Sequence, residues 1–369
     1  MKVALMGRSL RGRFSGVVRY THDLIGALAA TLDCDLSVFV TQADDGLDAT
    51  AIHRIRAPFP TPNEYARALW EQTIVPVEVH KLNPDVYHSP NYMLPIALRC
   101  PAVVTVHDLT FLDAEVHRLR SHLYLSLMTA IAVQKAARII CVSSHTRDRL
   151  IDHFPAVAPR TRVIGEGVSA PFRPQSRQAV ERFIARHRIV DPYVLFVGTI
   201  EPRKNLARLI RAFESAVELS GSRHQLIIVG TRGWKDAPVQ AAYHASTVRD
   251  RIRFIGYVPD EELPAAYSGA QIFAYPSLCE GFGLPPLEAM ACGTPVLTSN
   301  VSSLPEVVGS AALTVDPLDE SALAGGLVRL MTEPVTRKAF AEAGLMRAEA
   351  FRWDRVASKT FAVYQEAAG

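Results

Sequence analysis

Residues Ile272–Thr298, IFAYPSLCEGFGLPPLEAMACGTPVLT, decide the fold that this sequence predicts. Ile272–Tyr275 and Pro295–Thr298 are short apolar runs without alternation, which is typical of strands buried on both faces of a parallel sheet. Between them we predict a helix at Leu287–Cys292, because a proline pair suits its first turn and a glycine follows its end. The stretch therefore predicts a strand, a glycine-rich loop, a helix and a second parallel strand.

The same alternation of strands and helices continues outward through the chain. Amphipathic segments such as Val17–Leu32 and Leu206–Leu219 lie between further short apolar runs. These runs are Lys2–Met6, Leu36–Val40, Val86–His88, Ala102–Val106, Ile139–Val142, Arg162–Ile164, Tyr193–Val197, Gln225–Val229, Ile252–Ile255 and Ala312–Val315. Strands that alternate with helices predict an α/β fold with two Rossmann-like, doubly wound parallel-sheet domains.

The domain boundary is predicted in Ser169–Gln175, a stretch with two prolines and no periodicity. This gives an N-terminal domain at 1–172 and a C-terminal domain at 173–352. A final amphipathic helix at 353–369 is expected to pack back on the first domain. Its candidate buried residues are Val356, Phe361, Val363 and Tyr364. Ligands of open parallel sheets bind beyond the carboxyl ends of the strands, so two such domains facing across a cleft would hold the chemistry between them.

Composition excludes several classes of protein. The chain has 369 residues, 49% hydrophobic and 21% charged, which excludes a disordered or fibrous protein. A net charge of +3 does not provide the strongly basic surface of a nucleic-acid-binding protein. The five cysteines form neither a CxxC pair nor a metal-ligand spacing, so we predict no disulfide framework and no zinc site.

The chain shows no segment that would direct it into or across a membrane. The apolar start MKVALMG is too short for a signal peptide, and no apolar stretch reaches the roughly 18–20 residues that span a bilayer. We therefore expect a cytoplasmic protein.

The loop and helix of the central stretch carry groups suited to phosphate and sugar. Gly281 and Gly283 give the loop backbone freedom, and a helix N-terminus offers free N–H groups to a phosphate. Glu280 precedes the helix and Glu288 lies within it; a carboxylate accepts hydrogen bonds from two hydroxyls of a polyol at once. The alternative is that the loop is an ordinary turn and Glu288 a surface residue of the helix.

This stretch resembles the Glu-x7-Glu signature of family four of the retaining, nucleotide-sugar-dependent glycosyltransferases, which have the two-domain GT-B fold. Other segments resemble motifs of that family in its order and spacing. They are Val197–Leu206 (its phosphate-binding loop), Gly16–Tyr20 (the end of its N-terminal loop), Val106–Asp108 (its His-containing loop), Phe254–Pro259 (its base-binding turn) and the segment from Trp353 onward (its closing helix). The resemblance covers nearly the whole chain, which makes it more specific than any one motif.

The resemblance implies a role for each matching residue. Glu280 would bind hydroxyls of the donor sugar, and Glu288 would bind the ribose hydroxyls. Backbone N–H groups of the loop would approach the diphosphate or the sugar, at Gly281, Phe282, Gly283 and Leu284. The other implied donor-binding residues are Gly16, Gly198, Thr199, Tyr257 and Val258.

Arg203 and Lys204 would form a cationic clamp on the diphosphate. Negative charge grows on the leaving group as the sugar–phosphate bond breaks, so fixed cations stabilise the transition state more than the ground state. Many family members carry an arginine directly after the glycine equivalent to Gly198, whereas this chain has Thr199. Arg203 is the candidate to replace it. Without the resemblance, the Arg203–Lys204 pair could be an exposed charged turn.

His107 follows a buried strand at its carboxyl end, where site residues collect. A lone histidine there can be structural, but the resemblance implies a catalytic-site residue that contacts the donor sugar, without an assigned proton transfer. Asp108 either caps the next segment or faces the acceptor.

The loop Gly7–Ser15 is rich in glycine and arginine. Its Arg8, Arg11 and Arg13 either reach a phosphate or an anionic acceptor, or belong to a solvated loop. Gly16, directly after it, would let the first helix approach the diphosphate closely. The glycines here do not make the GxGxxG pattern of a Rossmann dehydrogenase.

Residues Val116–Leu150 combine the apolar stretch Leu123–Val133 with six Lys or Arg residues and a single acid, Asp148. One interpretation is a buried core helix with a basic flank. The other is peripheral association of the N-terminal domain with the inner face of the plasma membrane, where a lipid-linked acceptor would be found.

The resemblance implies a hexosyltransferase that retains the anomeric configuration. Its acceptor would attack the anomeric carbon from the front side, the side from which the diphosphate leaves. We identify no DxD-type metal site among the candidate site residues, so we expect no obligatory metal or other cofactor. EPRKN at 201–205 and HDLTF at 107–111 are most similar to bacterial mannosyltransferases of lipopolysaccharide or exopolysaccharide synthesis. The expected partners are GDP-mannose and a glycan or lipid-linked acceptor. A UDP- or dTDP-sugar donor and a GT-B sugar phosphorylase remain as alternatives.

Overall fold

A computed structural model describes residues 1–8, 16–31, 34–41, 52–59, 61, 63–110 and 119–369. The described chain divides into two compact units, Met1–Gly167 with Arg352–Gly369 (unit 1) and Val168–Phe351 (unit 2). The sequence-based boundaries, 172/173 and 352/353, lie five residues and one residue after these. The Val168 N–H donates to the Phe351 carbonyl at 2.9 Å, which ties the first and last residues of unit 2 to each other.

Within its described ranges, unit 1 contains one parallel sheet with the strand order β3-β2-β1-β4-β5-β6-β7. The strands are β1 (Lys2–Arg8), β2 (Asp35–Val40), β3 (Ile52–Arg56), β4 (Val86–Ser89), β5 (Ala102–Val106), β6 (Arg138–Cys141) and β7 (Thr161–Val163). The helices are α1 (Gly16–Thr31), α2 (Glu64–Leu82), α3 (Leu119–Lys135), α4 (Ser144–His153) and the final helix α13 (Trp353–Ala368). Val3 of β1 is in register with Leu36 of β2 and Val86 of β4.

Helices cover both faces of this sheet. Val3 and Leu5 belong to a core cluster with residues of α1 and α13, whereas Ala4 and Met6 belong to a second cluster with residues of α2, α3 and α4. Successive side chains of a strand point to opposite faces, so a strand with a core on each side must be apolar at every position. This is why the strands appear in the sequence as unbroken apolar runs.

Unit 2 contains a parallel sheet with the strand order β10-β9-β8-β11-β12-β13. Its strands are β8 (Tyr193–Val197), β9 (Gln225–Val229), β10 (Ile252–Gly256), β11 (Ile272–Tyr275), β12 (Val296–Ser299) and β13 (Leu313–Val315). Its helices are α5 (Arg177–His187), α6 (Leu206–Ser220), α7 (Ala237–Ala245), α8 (Leu263–Gly269), α9 (Leu284–Ala291), α10 (Leu304–Val308), α11 (Glu320–Thr332) and α12 (Pro334–Ala348). Short 3₁₀ turns include Pro202–Lys204, directly before α6.

The predicted doubly wound α/β fold is confirmed, and each strand predicted from the sequence is present. Helix α9 begins three residues earlier than predicted, so that both prolines lie in its first turn. The edge strand β3 was not predicted, because its sequence IHRIR interrupts the apolar pattern with polar side chains that are exposed or half-buried. No helix in the described ranges is both long and apolar enough to cross a membrane.

A buried polar chain fixes α13 to the sheet of unit 1. The Tyr364 hydroxyl hydrogen-bonds to His88 Nδ1 at 2.6 Å, and His88 Nε2 lies 2.9 Å from the Thr105 hydroxyl. Burial, with His107 adding to it, lowers the pKa of His88 to about 3, so the imidazole is neutral at physiological pH. The predicted residues Val356, Val363 and Tyr364 are buried, and Phe361 is partly buried.

Replacing Tyr364 with Phe should lower the free energy of unfolding of the full chain by about 1–3 kcal/mol. The substitution keeps the ring but leaves a buried polar atom of His88 without a hydrogen-bond partner. Urea denaturation measures the change. Tyr65→Phe is the matched control, because Tyr65 is 88% exposed; an equal effect of both substitutions would contradict this role of Tyr364.

Candidate functional site

The candidate site of unit 2 lies on three loops that follow β8, β11 and β12. These strands are neighbours in the sheet, so their carboxyl ends and following loops meet at one edge. The Leu278 N–H donates to the Arg203 carbonyl at 2.7 Å, which joins the β11 loop to the β8 loop. The Glu280 N–H donates to the Ser302 hydroxyl at 3.1 Å, which joins the β11 loop to the β12 loop.

Four charged side chains of these loops form a cluster, which we name the clamp cluster: Glu201, Arg203, Lys204 and Glu280. Lys204 Nζ donates to Glu280 Oε1 at 2.6 Å, and Arg203 Nη1 donates to Glu280 Oε2 at 2.6 Å. Arg203 Nε also lies 2.5 Å from Glu201 Oε1. Lys204 and Glu280 are both buried. The two predicted clamp cations and the predicted sugar-binding carboxylate are therefore in direct contact.

Hydroxyl groups complete the surroundings of Glu280. Ser277 donates to Glu280 Oε1 at 2.6 Å and Tyr275 donates to the same oxygen at 2.9 Å. Burial alone would raise the pKa of Glu280, but Lys204 and Arg203 outweigh it and hold that pKa at about 2. Glu280 is thus a carboxylate at every pH at which the protein is expected to work.

The neighbours of Glu280 respond to its charge. Burial and the Glu280 carboxylate raise the pKa of Tyr275 well above its ordinary value, so the phenol keeps its proton and donates. Burial lowers the pKa of Lys204, and the Glu280 carboxylate opposes that lowering. Lys204 Nζ also donates to the Tyr275 hydroxyl and lies 4.9 Å from the centre of its ring.

The glycine-rich loop is held by a buried serine and by one glycine conformation. Ser303 donates to the carbonyls of Glu280 and Phe282, at 2.9 and 2.6 Å. Gly283 has φ +122°, which L side chains rarely adopt, and it directly precedes Leu284 at the start of α9. The loop residues Gly281, Phe282 and Gly283 are buried, and Leu284 is half-buried.

Glu288 occupies a position distinct from the clamp cluster. Its carboxylate lies in α9, is 3% exposed, and accepts a hydrogen bond from the Tyr267 hydroxyl at 2.9 Å. The interpretation of Glu288 as a surface helix residue is therefore excluded.

The remaining residues predicted in unit 2 follow β8 and β10. Thr199 is exposed and Gly198 half-buried, and a Cβ on Gly230 would lie 1.9 Å from the Gly198 carbonyl oxygen. Gly230 thus allows the loops after β8 and β9 to lie against each other. Tyr257 is 43% exposed, and Val258 next to it is buried.

In unit 1, His107 lies buried beyond the end of β5. Its Nε2 is 3.0 Å from the Pro90 carbonyl oxygen and its Nδ1 is 2.8 Å from Glu166 Oε1. A carbonyl only accepts, so Nε2 carries a proton. The ring of Tyr20 meets the imidazole edge-on at a centroid distance of 4.6 Å. Asp108 Oδ1 accepts from the N–H and the hydroxyl of Thr110, at 3.2 and 3.0 Å, so it caps a turn.

Some predicted candidates lie outside the described residues. They are Arg11 and Arg13 of the N-terminal loop, the side chain of Arg8, and Arg118 with the side chain of Arg120. Gly16 is described and begins α1. In the described ranges, no group of three or more His, Cys, Asp and Glu side chains is placed to hold a metal ion.

Sequence reasoning did not single out several residues that the structure brings to these positions. They are Glu201, Tyr275, Ser277, Ser303, Gly230 and Glu166. Tyr275 and Ser277 lie inside the decisive stretch, but the apolar run before the loop indicated only a core strand. Glu201 stands next to the predicted clamp, and its acidic charge there was the available signal.

Gly283→Ala should destabilise the protein by about 1–3 kcal/mol, because alanine is strained at φ +122°. The added Cβ would also lie 2.9 Å from Leu304 Cδ2. Thermal unfolding measures the change.

The matched control is Gly325→Ala, in α11, where an added Cβ meets nothing within 4 Å. That substitution should stabilise by about 0.5–1 kcal/mol through helix propensity. Stabilisation by Gly283→Ala as well would show that the loop does not require its glycine conformation.

Comparison with known proteins identifies the family. The chain matches the family described as Glycosyltransferase Family 4 over residues 14–171 and the family Glycosyl transferases group 1 over residues 178–346. It is 36% identical over 282 residues to O-antigen chain mannosyltransferase B of Escherichia coli, covering 76% of this chain and 74% of that protein.

Two further proteins are similar over different lengths. Serotype-specific mannosyltransferase WbdA of Escherichia coli is 28% identical over 232 residues, which are 61% of this chain and 28% of WbdA. The solved structure of WaaG, a glycosyltransferase involved in lipopolysaccharide biosynthesis, superposes with a TM-score of 0.75 at 18% identity and covers 100% of both chains. That likeness establishes the GT-B architecture. The chain belongs to the GT-B glycosyltransferases, with a family 4 domain followed by a group 1 domain.

Proposed function

We propose that this glycosyltransferase transfers mannose from GDP-mannose, with retention of configuration, to a glycan or lipid-linked acceptor in lipopolysaccharide or exopolysaccharide synthesis. The observation that carries the proposal is the meeting of Arg203 and Lys204 on the Glu280 carboxylate at the carboxyl edge of the sheet of unit 2. The similarity to O-antigen chain mannosyltransferase B supports mannose and polysaccharide synthesis.

Unit 2 binds the donor in this proposal. Arg203 and Lys204 hold the diphosphate, and Arg203 takes the place of the arginine that many family members carry at Thr199. The N–H groups at Gly281–Leu284, beside the start of α9, contribute further donors. Glu280 accepts hydrogen bonds from sugar hydroxyls and Glu288 from ribose hydroxyls. Both carboxylates are buried, so each is shielded from competing water.

Five further residues supply the remaining donor contacts in this proposal. Gly198 leaves room for the phosphates, and Tyr257 and Val258 contact the base. Unit 1 contributes the acceptor side, with Gly16 near the diphosphate and His107 at the sugar. Both ring nitrogens of His107 have hydrogen-bond partners within unit 1. To contact the sugar, His107 must therefore give up one of these hydrogen bonds or use a backbone group.

The transfer is a front-side displacement at the anomeric carbon. The bond from that carbon to the diphosphate oxygen breaks, and its electron pair leaves with GDP. The acceptor oxygen forms the new bond on the same face and gives its proton to the departing diphosphate. Arg203 and Lys204 stabilise the growing charge, which is where fixed cations contribute most to rate. The step uses no protein nucleophile.

Peripheral membrane association through unit 1 remains part of the proposal. Leu127 of α3 is 60% exposed, and an exposed apolar side chain on a helix that ends in Lys135 suits an anionic bilayer surface. Arg138 and Arg147, by contrast, form ion pairs with Glu366 and Asp148. We place the enzyme in the cytoplasm, at the inner face of the plasma membrane.

Ligand binding and product analysis test the function. GDP-mannose at 100 times its dissociation constant should stabilise the protein by about 2.7 kcal/mol, and UDP-glucose and dTDP-rhamnose at equal concentration by less. NMR of the product should show the anomeric configuration of the donor. Stabilisation by a UDP- or dTDP-sugar alone would show that this sugar nucleotide, and not GDP-mannose, is the donor. A product with inverted anomeric configuration would exclude the front-side mechanism.

Replacing Lys204 or Arg203 with Ala should lower turnover roughly 10²–10³-fold, which corresponds to about 3–4 kcal/mol of transition-state stabilisation. Each substitution removes a charge-assisted contact to the leaving group. The control is Arg211→Ala, which removes a surface cation of the same unit that pairs with Glu320 at 2.7 Å. Near-normal turnover in a folded variant would remove that residue from the mechanism.

Glu288→Ala should weaken GDP binding about 10- to 100-fold, the loss expected for hydrogen bonds to a charged group. Calorimetry with GDP measures the change, and thermal unfolding checks that the variant is folded. Glu333→Ala is the control, because Glu333 is an exposed carboxylate of the same unit. Unchanged GDP affinity in Glu288→Ala would show that Glu288 does not bind the ribose.

A further inference from the structure

Glu201 is the member of the clamp cluster to which the proposed function gives no role. Glu201 directly precedes the 3₁₀ turn Pro202–Lys204, and its Oε1 lies 2.5 Å from Arg203 Nε. The same guanidinium donates from Nη1 to Glu280 Oε2 at 2.6 Å. Arg203 is therefore held between two carboxylates of its own chain.

The formal charges of the clamp cluster cancel. Arginine stays protonated in proteins, and Glu280 stays ionised because its pKa is about 2. A diphosphate that approaches Arg203 and Lys204 thus meets cations that Glu201 and Glu280 already neutralise. The diphosphate must therefore compete with the two carboxylates for these cations. Lys204 and Glu280 are buried, so water screens these interactions only weakly.

The donor and the product differ in the charge that they bring to this cluster. In the donor the terminal phosphate is esterified to the sugar. After transfer that phosphate is a free end, with a second pKa near 6, so at neutral pH it carries nearly one further negative charge. Fixed carboxylates repel the product more strongly than the donor.

We propose that Glu201 is a specificity-determining residue. Its carboxylate weakens the binding of the released nucleoside diphosphate more than it weakens the binding of the intact donor, and it thereby speeds product release. This inference rests on the proposed function, because it requires the diphosphate to bind at the clamp cluster.

A purely structural role for Glu201 predicts the opposite sign. If the carboxylate only held Arg203 in place, its loss would free the guanidinium to move and would weaken binding of both ligands. The direction of the change in affinity therefore separates the two roles.

The test compares the wild type with Glu201→Gln, which keeps the shape and removes the charge, and Glu201→Asp, which keeps the charge. Calorimetry at pH 7.5 measures the affinities for GDP and GDP-mannose. Glu201→Gln should bind GDP about tenfold more tightly and GDP-mannose about threefold more tightly, because the repulsion scales with the charge of the terminal phosphate, which is about twice as large in GDP. Glu201→Asp should resemble the wild type.

Two further readouts follow from the same charge argument. At pH 5.5 the terminal phosphate of GDP takes up a proton, so the gain for GDP should approach the gain for GDP-mannose. The dissociation rate of a fluorescent GDP analogue should fall about tenfold in Glu201→Gln at pH 7.5, because affinity changes within one site lie mostly in that rate.

Each outcome bears on a separate conclusion. If the wild type binds GDP and GDP-mannose but Glu201→Gln binds GDP no more tightly, the role of Glu201 is overturned and the proposed function stands. An equal gain for both ligands at pH 7.5 also overturns it. If the wild type binds neither these ligands nor UDP and UDP-glucose, the proposed function fails and this inference fails with it.

Discussion

The buried ion pair between Lys204 and Glu280 is the interaction on which the rest of the candidate site depends. Two charges taken out of water need close contact and further hydrogen bonds, since either one left alone would be strongly destabilising. Tyr275 and Ser277 supply those bonds to Glu280, and Arg203 supplies a second cation. The pair joins the loop after β8 to the loop after β11, so it also fixes how these loops lie against each other.

The sheet and the loop backbones satisfy this constraint together. β8 and β11 are adjacent although they are far apart in sequence, and Val194 pairs with Ile272. Asn205, in a left-handed conformation at the start of α6, donates to the Pro276 carbonyl at 3.1 Å. Ser303 holds the other side of the glycine-rich loop. Contacts to the backbone of the loop after β11, from the loops after β8 and β12, thus help to position Glu280, in addition to its ion pairs.

Sequence reasoning found the parts of this arrangement that are local. Strands buried on both faces give apolar runs, and the spacing of Glu280 and Glu288 follows from one loop and one helix. The missed features depend on contacts between distant residues. β3 is an edge strand whose IHRIR sequence has no apolar run, and Tyr275 appears in sequence only as the last residue of a core strand. The hydrogen bonds of Ser303 to the loop cross more than twenty residues, and no local pattern encodes them.

A neutral clamp cluster also changes how the cations contribute to catalysis. In the proposed mechanism, Glu201 and Glu280 would face the charge that develops on the leaving diphosphate, so they would reduce the stabilisation that Arg203 and Lys204 alone would give. The same carboxylates keep the two cations together. Burial, and to a smaller extent the neighbouring Arg203, lower the pKa of Lys204, and the Glu280 carboxylate opposes that lowering. The proposed donor would bring sugar hydroxyls to Glu280, whereas the free diphosphate would bring only more negative charge. An enzyme that must release its product after each transfer therefore gains from carboxylates that a purely cationic clamp would lack.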